Sequence, residues 1–186
     1  MISIRVSLLA VLLPAAGIGQ VAQPKAAVPP PYRGFAPGID YRSFVERARS
    51  LADRDTLRCN TSRNTAQLIE CGVAIRDPDD AARFYLSAHF VEGRADVVAF
   101  KDSAGFGGKD GGGTALVTRT KRDLTRIFGR PRPNGRSGWE WRFGRKAVRL
   151  SWRGRGTARW VAITLTDYDV MDRIDRYVKA AASRKP

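Results

Sequence analysis

The sequence is poor in the residues that most often do chemistry. It contains one histidine and two cysteines, and no apolar run beyond the N-terminal segment is long enough to cross a membrane. Zinc sites built from cysteine and histidine need three or four such ligands, so the sequence excludes them. Few side chains remain for nucleophilic or general acid–base catalysis. We therefore predict no catalytic residue, no metal and no cofactor.

The single histidine lacks the surroundings of a hydrolase site. His89 lies in an alternating segment, with Ser87 two residues before it. Such side chains stand roughly 7 Å apart along a strand, too far for a hydrogen bond. No GxSxG nucleophile motif is present. In the glycine-rich segment 103–114, Asp110 follows Lys109 where a phosphate-binding P-loop needs Ser or Thr. The common hydrolase and nucleotide-binding patterns are therefore excluded.

Lysine is also scarce, and the positive charge comes mainly from arginine. Arg supplies 26 of the 33 basic residues, and with 18 acidic residues the formal net charge is +15. Hydrophobic residues make up 43% and charged residues 27%, which is typical of a folded domain and excludes disorder for most of the chain. Residues 119–159 alone contribute 14 basic and two acidic residues, or +12. This region is where we expect an acidic partner to bind.

The N-terminal residues have the features of an export signal. Arg5 precedes an apolar stretch, and Gly17 and Gly19 are small residues at the positions that signal cleavage requires before Gln20. The predicted organisation is a signal peptide (1–19), a Pro/Ala/Gly-rich leader (20–38), a single α+β domain (39–182) and a basic tail (183–186). We expect a periplasmic or secreted protein with no stable membrane span after cleavage.

Cys59 and Cys71 enclose a short polar segment. Two neighbouring cysteines in an exported chain most simply form a disulfide. Closing a loop of this size stabilises a fold by about 3 kcal/mol on the chain-entropy model.

Hydrophobic periodicity predicts an α+β fold of antiparallel sheet packed by helices. Asp40 is the expected N-cap of a first helix, and Asp167 of the last. Strands are expected at 67–75, 83–91 and 95–101, and then at three apolar alternations centred on 141, 150 and 163. Between the two groups we expect a brief strand at 115–117 and a helix at 121–128. The order is α-βββ-(β)α-βββ-α, either as two αβββ-like units or as one long sheet.

An arginine-rich sheet face is the main candidate site. The candidate binding residues are Arg122, Arg126, Arg142, Arg149, Arg153, Arg159 and Trp160. Arginine makes paired contacts to carboxylates and phosphates, so we expect this face to bind an acidic protein or an anionic envelope polymer. Trp160 falls on the face opposite Val161, unlike the tryptophans expected in the core.

Three alternatives remain open at the level of sequence. The arginines could simply coat a solvated sheet while the tryptophans build the core. Arginines interleaved with tryptophans could instead bind nucleic acid. Finally, Glu140 lies between Trp139 and Trp141 and could serve a cell-wall or glycan hydrolase, although an ion pair with Arg142 explains Glu140 equally well.

Overall fold

The computed structural model describes residues 28–63, 65–76, 83–102, 113–155 and 158–182. These residues form three helices and one eight-stranded sheet. The helices are α1 (Tyr41–Leu51), α2 (Gly113–Phe128) and α3 (Tyr168–Ala182). The strands are β1 (Arg58–Ser62), β2 (Thr65–Arg76), β3 (Arg83–Val91), β4 (Arg94–Asp102), β5 (Arg132–Pro133), β6 (Gly138–Phe143), β7 (Lys146–Arg155) and β8 (Ala158–Asp167). The predicted signal peptide, the tail 183–186 and most of the glycine-rich segment lie outside the described residues.

The strands lie in the order β1-β2-β3-β4-β8-β7-β6-β5, and every neighbouring pair is antiparallel. Each half of the sheet is a four-stranded series that follows one helix along the chain. The two halves meet where β4 pairs with β8, so they form one continuous sheet. The predicted α+β class and the order of helices and strands are confirmed.

One face of the sheet, the core face, carries the apolar residues of the alternating strands. Phe100, Ile163 and Leu150 lie side by side on β4, β8 and β7, and all three are buried. Helices α1 and α2 pack on this face, with Phe44 and Leu124 in the same apolar cluster. Burying such side chains contributes about 1.5–3 kcal/mol each before the entropy cost of folding.

The two predicted helix caps are present. The backbone N–H of Ser43 donates to Asp40 Oδ1 at 2.9 Å, and this hydrogen bond lowers the pKa of Asp40. The backbone N–H groups of Asp169 and Val170 donate to Asp167 Oδ1 at 3.0 and 3.3 Å. A capping carboxylate satisfies helix donors that have no partner within the helix. Local sequence therefore determines where α1 and α3 begin.

The predicted brief strand at 115–117 is wrong, because those residues belong to the first turns of α2. The helix begins at Gly113, eight residues before the start at 121 expected from the sequence. Leu116, Thr120 and Leu124 recur every four residues and are buried against the core. Three consecutive apolar residues fit either a strand or a helix, and packing against the sheet decides for helix here.

Strand β1 was not predicted, since it is polar and mostly exposed at the edge of the sheet. Cys59 of β1 lies directly opposite Cys71 of β2, and the two form the expected disulfide. A disulfide fits an oxidising compartment. The bond links the exposed edge strand to Cys71, which is buried in the apolar cluster of the core face.

The packed structure extends upstream of residue 39, into the Pro/Ala/Gly-rich segment. Phe35 is fully buried, and its ring centroid lies 5.4 Å from that of Phe44 and 5.6 Å from that of Phe100. Tyr32 is also buried in this cluster. Two isolated aromatic residues among prolines have no periodic pattern, so this packing is not predictable from the local sequence.

The face opposite the core face, which we call the second face, is covered by α3 at one end. The Tyr168 ring at the start of α3 lies 4.8 Å from the Arg142 guanidinium, and the helix packs against β3, β4 and β8. Farther along α3, the Tyr177 hydroxyl donates to Glu92 in the β3–β4 turn at 2.8 Å. Beyond α3 the side chains of the second face are exposed, and Trp160 exposes 48% of its surface.

Candidate functional site: the basic second face

Strand register places four of the predicted binding residues on the second face. Arg153 of β7 lies opposite Trp160 of β8, and Arg149 of β7 lies opposite Thr164 of β8. Arg142 follows on β6, next to Ala147 of β7. Because side chains alternate between the faces of a strand, these residues project away from the apolar cluster on the core face.

A carboxylate partly neutralises two of these arginines. Arg142 Nε lies 3.1 Å from one oxygen of Glu140, and Arg149 Nη2 lies 2.9 Å from the other. Glu140 is mostly buried by these neighbours, and Arg132 of β5 lies opposite it in register. The ion pair considered from the sequence is therefore present and includes a second arginine. Each oxygen of Glu140 therefore contacts a guanidinium group.

The other end of the second face has two cations, Lys101 and Arg153, close to one buried carboxylate, Asp102. Within the described part of the chain, no carboxylate forms an ion pair with Arg153 or Lys101. Lys101 of β4 lies in the same cross-strand row as Ala162 and Ser151, next to the row formed by Trp160 and Arg153. Sequence reasoning missed Lys101 because its place beside β8 depends on long-range strand pairing.

A cavity of about 460 Å³ opens at this end. We call it the Trp160 cavity; it is lined by Lys101, Asp102, Ser151, Trp152, Arg153, Trp160, Val161 and Ala162. Small side chains at Ser151 and Ala162 leave room between the longer ones. The cavity volume lies within the range of small-molecule sites, about 300–1,000 Å³.

The structure does not bring all the predicted residues together. Arg122 and Arg126 are exposed on α2, which packs on the core face, so the sheet separates them from the second face. Both lie near Asp123, at 3.9 and 3.6 Å. Arg159 pairs with Gly154 in the β7–β8 ladder, but its side chain lies outside the described part of the structure. Arg122 and Arg126 therefore do not share a surface with the candidate residues of the sheet.

Trp160 differs from the other three tryptophans. Trp141 is buried on the core face, where its indole N–H donates to the carbonyl of Gly129 at 2.7 Å. Trp139 and Trp152 stack on each other, with ring centroids 4.6 Å apart. These three tryptophans contact other parts of the protein, which agrees with the alternative in which tryptophans build the core. Of the four tryptophans, Trp160 is the one that is exposed, and it lies opposite Arg153.

The histidine lies elsewhere on the second face and makes no catalytic arrangement. His89 Nε2 is 3.3 Å from Glu70 Oε1, and both side chains are largely exposed. Asp96 is buried nearby, and burial raises the pKa of its carboxyl, with the charge of His89 acting in the opposite direction. Over the described residues, no three His, Cys, Asp or Glu side chains are placed to hold a metal ion. None of the described helices is long and apolar enough for a membrane span.

No protein-family model matches the chain, and comparisons with curated proteins and with solved structures find no match. A function must therefore be inferred from the residues of this chain alone.

Proposed function

We propose that this protein is an exported, non-enzymatic binding protein that holds an acidic protein or an anionic envelope polymer on its second face. The observation that carries the proposal is the exposed Trp160 opposite Arg153, beside a cavity that Lys101 also lines. A periplasmic or secreted location agrees with the export signal expected from the sequence and with the disulfide.

The electrostatics favour a negatively charged partner. Exposed arginines attract polyanions over several ångströms and then form paired hydrogen bonds with carboxylates or phosphates. Arg142 and Arg149 are already engaged by Glu140, so we assign the main contacts to Arg153 and Lys101. An exposed tryptophan adds contact area at a low cost in conformational entropy.

Charge reversal on the two sides of the sheet tests this proposal. The double variant Lys101→Glu, Arg153→Glu should lose binding to immobilised poly-L-glutamate and polygalacturonate at physiological salt. The matched control Arg122→Glu, Arg126→Glu changes the net charge equally on α2 and should retain binding. Equal losses in both variants, or no binding by the wild-type protein, would refute a site on the second face.

Location is tested separately by following the full-length chain in cells. The proposal expects a processed protein, with an N-terminus at Gln20, in the periplasmic fraction or the medium. An unprocessed protein in the cytoplasm would refute export while leaving the binding test intact.

Nucleic-acid binding is the second candidate, because a tryptophan among cations can also stack bases. Its affinity for a single-stranded oligonucleotide should fall steeply between low and moderate salt. Binding that is stronger for the oligonucleotide than for either acidic polymer would favour this candidate.

A further inference from the structure

The Trp160 cavity has the proportions of a site for a small ring. Its volume of about 460 Å³ accommodates about one or two sugar rings by comparison with typical ligand sites. A flat protein–protein contact instead buries about 800 Å² on each partner around an apolar centre. The lining of this cavity includes two cations, Lys101 and Arg153, one buried carboxylate, Asp102, and the exposed Trp160.

Trp160 can serve as a platform for that ring. Trp160 is 48% exposed, and its side chain lies on the same face of the sheet as that of Ala162. In the next row, Ala162 and Ser151 have short side chains, which leaves room beside the indole. The C–H groups of a pyranose ring are weakly apolar and pack against an aromatic face. An acidic peptide would gain less from this platform because its charged side chains are not rings.

The cations and the hydroxyl lie on the sides of the same cavity. Arg153 is directly opposite Trp160, and Lys101 and Ser151 lie on either side of Ala162 in the adjacent row. Strand spacing places Lys101 and Ser151 about 10 Å apart at the backbone, which suits groups that converge on one ring. Arg153 can take a carboxylate through two parallel N–H bonds, while Ser151 can donate to or accept from a sugar hydroxyl.

We propose, on the basis of the binding function above, that the Trp160 cavity binds an acidic sugar residue of a polysaccharide. The pyranose ring lies on Trp160, its carboxylate contacts Arg153 and Lys101, and Ser151 contacts a ring hydroxyl. This assigns the anionic polymer, and not the acidic protein, as the partner of the second face. A nucleic acid fits less well, since single-strand binding usually stacks successive bases, whereas Tyr85, another exposed aromatic residue of this face, lies two strands away from Trp160.

Four probes of different chemistry test the assignment on the full mature chain. They are an oligogalacturonate, its methyl ester, poly-L-glutamate of equal charge and a single-stranded oligonucleotide of equal charge. The wild-type protein should bind the oligogalacturonate most tightly, because it alone supplies both a pyranose ring and carboxylates. Trp160→Ala should weaken this binding about tenfold or more, as loss of a stacking platform does, and should change poly-L-glutamate binding about twofold at most.

Trp160→Phe is the conservative control, because it keeps an aromatic ring and should restore most of the saccharide affinity. Thermal unfolding of both variants should resemble that of the wild type, since the residue is half exposed. The assignment is overturned if the protein binds the oligonucleotide or poly-L-glutamate at least as tightly as the oligogalacturonate, or if Trp160→Ala affects all probes alike.

The two proposals fail in distinguishable ways. If poly-L-glutamate and oligogalacturonate bind equally, and Lys101→Glu with Arg153→Glu abolishes both, the acidic-partner function stands and the sugar assignment falls. If the wild-type protein binds none of the anionic probes, both proposals fall.

Discussion

Arg149 Nη2 lies 2.9 Å from Glu140 Oε2, across neighbouring strands of the second face. Arg142 occupies the other oxygen of the same carboxylate at 3.1 Å. Two arginines that the sequence nominated for binding therefore already have an anion in the folded protein. This relationship shifts the expected partner contacts along the face, toward Arg153 and Lys101.

Replacing Glu140 by Gln should tighten the binding of anionic polymers. The substitution removes the charge that engages Arg142 and Arg149 and makes the second face more positive by one unit. The two arginines keep nearly half of their side-chain surface exposed although Glu140 is mostly buried, so the free energy of unfolding should fall by about 1 kcal/mol, the upper end for surface pairs. Poly-L-glutamate binding at two salt concentrations and urea denaturation measure the two effects. Weaker binding by Glu140→Gln would contradict the assigned role.

The same variant tests the hydrolase alternative. Because both oxygens of Glu140 contact guanidinium groups, we expect neither the wild type nor Glu140→Gln to clear a peptidoglycan gel. Clearing by the wild type that disappears in Glu140→Gln would establish Glu140 as a catalytic residue.

Phe35→Ala should destabilise the protein strongly, although Phe35 lies in the segment predicted as a leader. Its side chain is fully buried between Phe44 and Phe100, and a buried Phe→Ala change costs about 3–5 kcal/mol. Val28 is 75% exposed, so Val28→Ala is the control and should change stability by about 0.5 kcal/mol at most. Chemical denaturation compares the two, and equal stability would mean that Phe35 does not pack in solution.

Removing the disulfide should lower stability by about 3 kcal/mol. Cys59 and Cys71 are 12 residues apart, and their bond limits the unfolded chain while joining the edge strand β1 to β2. Cys59→Ala with Cys71→Ala should match the reduced wild-type protein in urea denaturation, and a reductant should not affect the double variant further. An unchanged midpoint after reduction would show that the bond contributes nothing to stability.

Asp96→Asn should stabilise the protein at neutral pH and not at low pH. Burial raises the pKa of the Asp96 carboxyl above its ordinary value of 3.8, and no described residue donates a hydrogen bond to its Oδ1. The protonated Asp96 carboxyl contributes fully to the free energy of unfolding below pH 3.8. This contribution is lost as the pH rises through the raised pKa of the folded state. Burying an acceptor without a partner costs about 1–3 kcal/mol, so we expect a gain of about 1 kcal/mol at pH 7.

The measurement is thermal or urea unfolding of Asp96→Asn and wild type from pH 3 to pH 7. Asp123→Asn is the control, because it removes the same charge from the exposed surface of α2, beside Arg122. A stability difference for Asp96→Asn that is independent of pH would show that the carboxyl does not titrate with a raised pKa.

Local signals in the sequence were sufficient for much of the fold. The caps Asp40 and Asp167 were recognised because a carboxylate before an amphipathic segment satisfies free helix donors. Strands β3, β6, β7 and β8 were recognised because apolar and other side chains alternate along each of them. Strand β1 and the start of α2 were not predicted. Strand β1 is polar throughout, and the first turns of α2 contain too few apolar residues to define a helical period.

The sequence by itself determined the α+β class, the faces of the strands, the disulfide pairing and the concentration of charge in one region. The class, the strand faces and the charge distribution follow from the properties of residues close together in the chain. The disulfide pairing follows because the chain contains only two cysteines. The tertiary structure decided which charges share a surface. Pairing of β4 with β8 brought Lys101 beside Trp160 and Arg153, and packing of α2 on the core face separated Arg122 and Arg126 from them. Such placements depend on contacts between residues distant along the chain, which local periodicity does not encode.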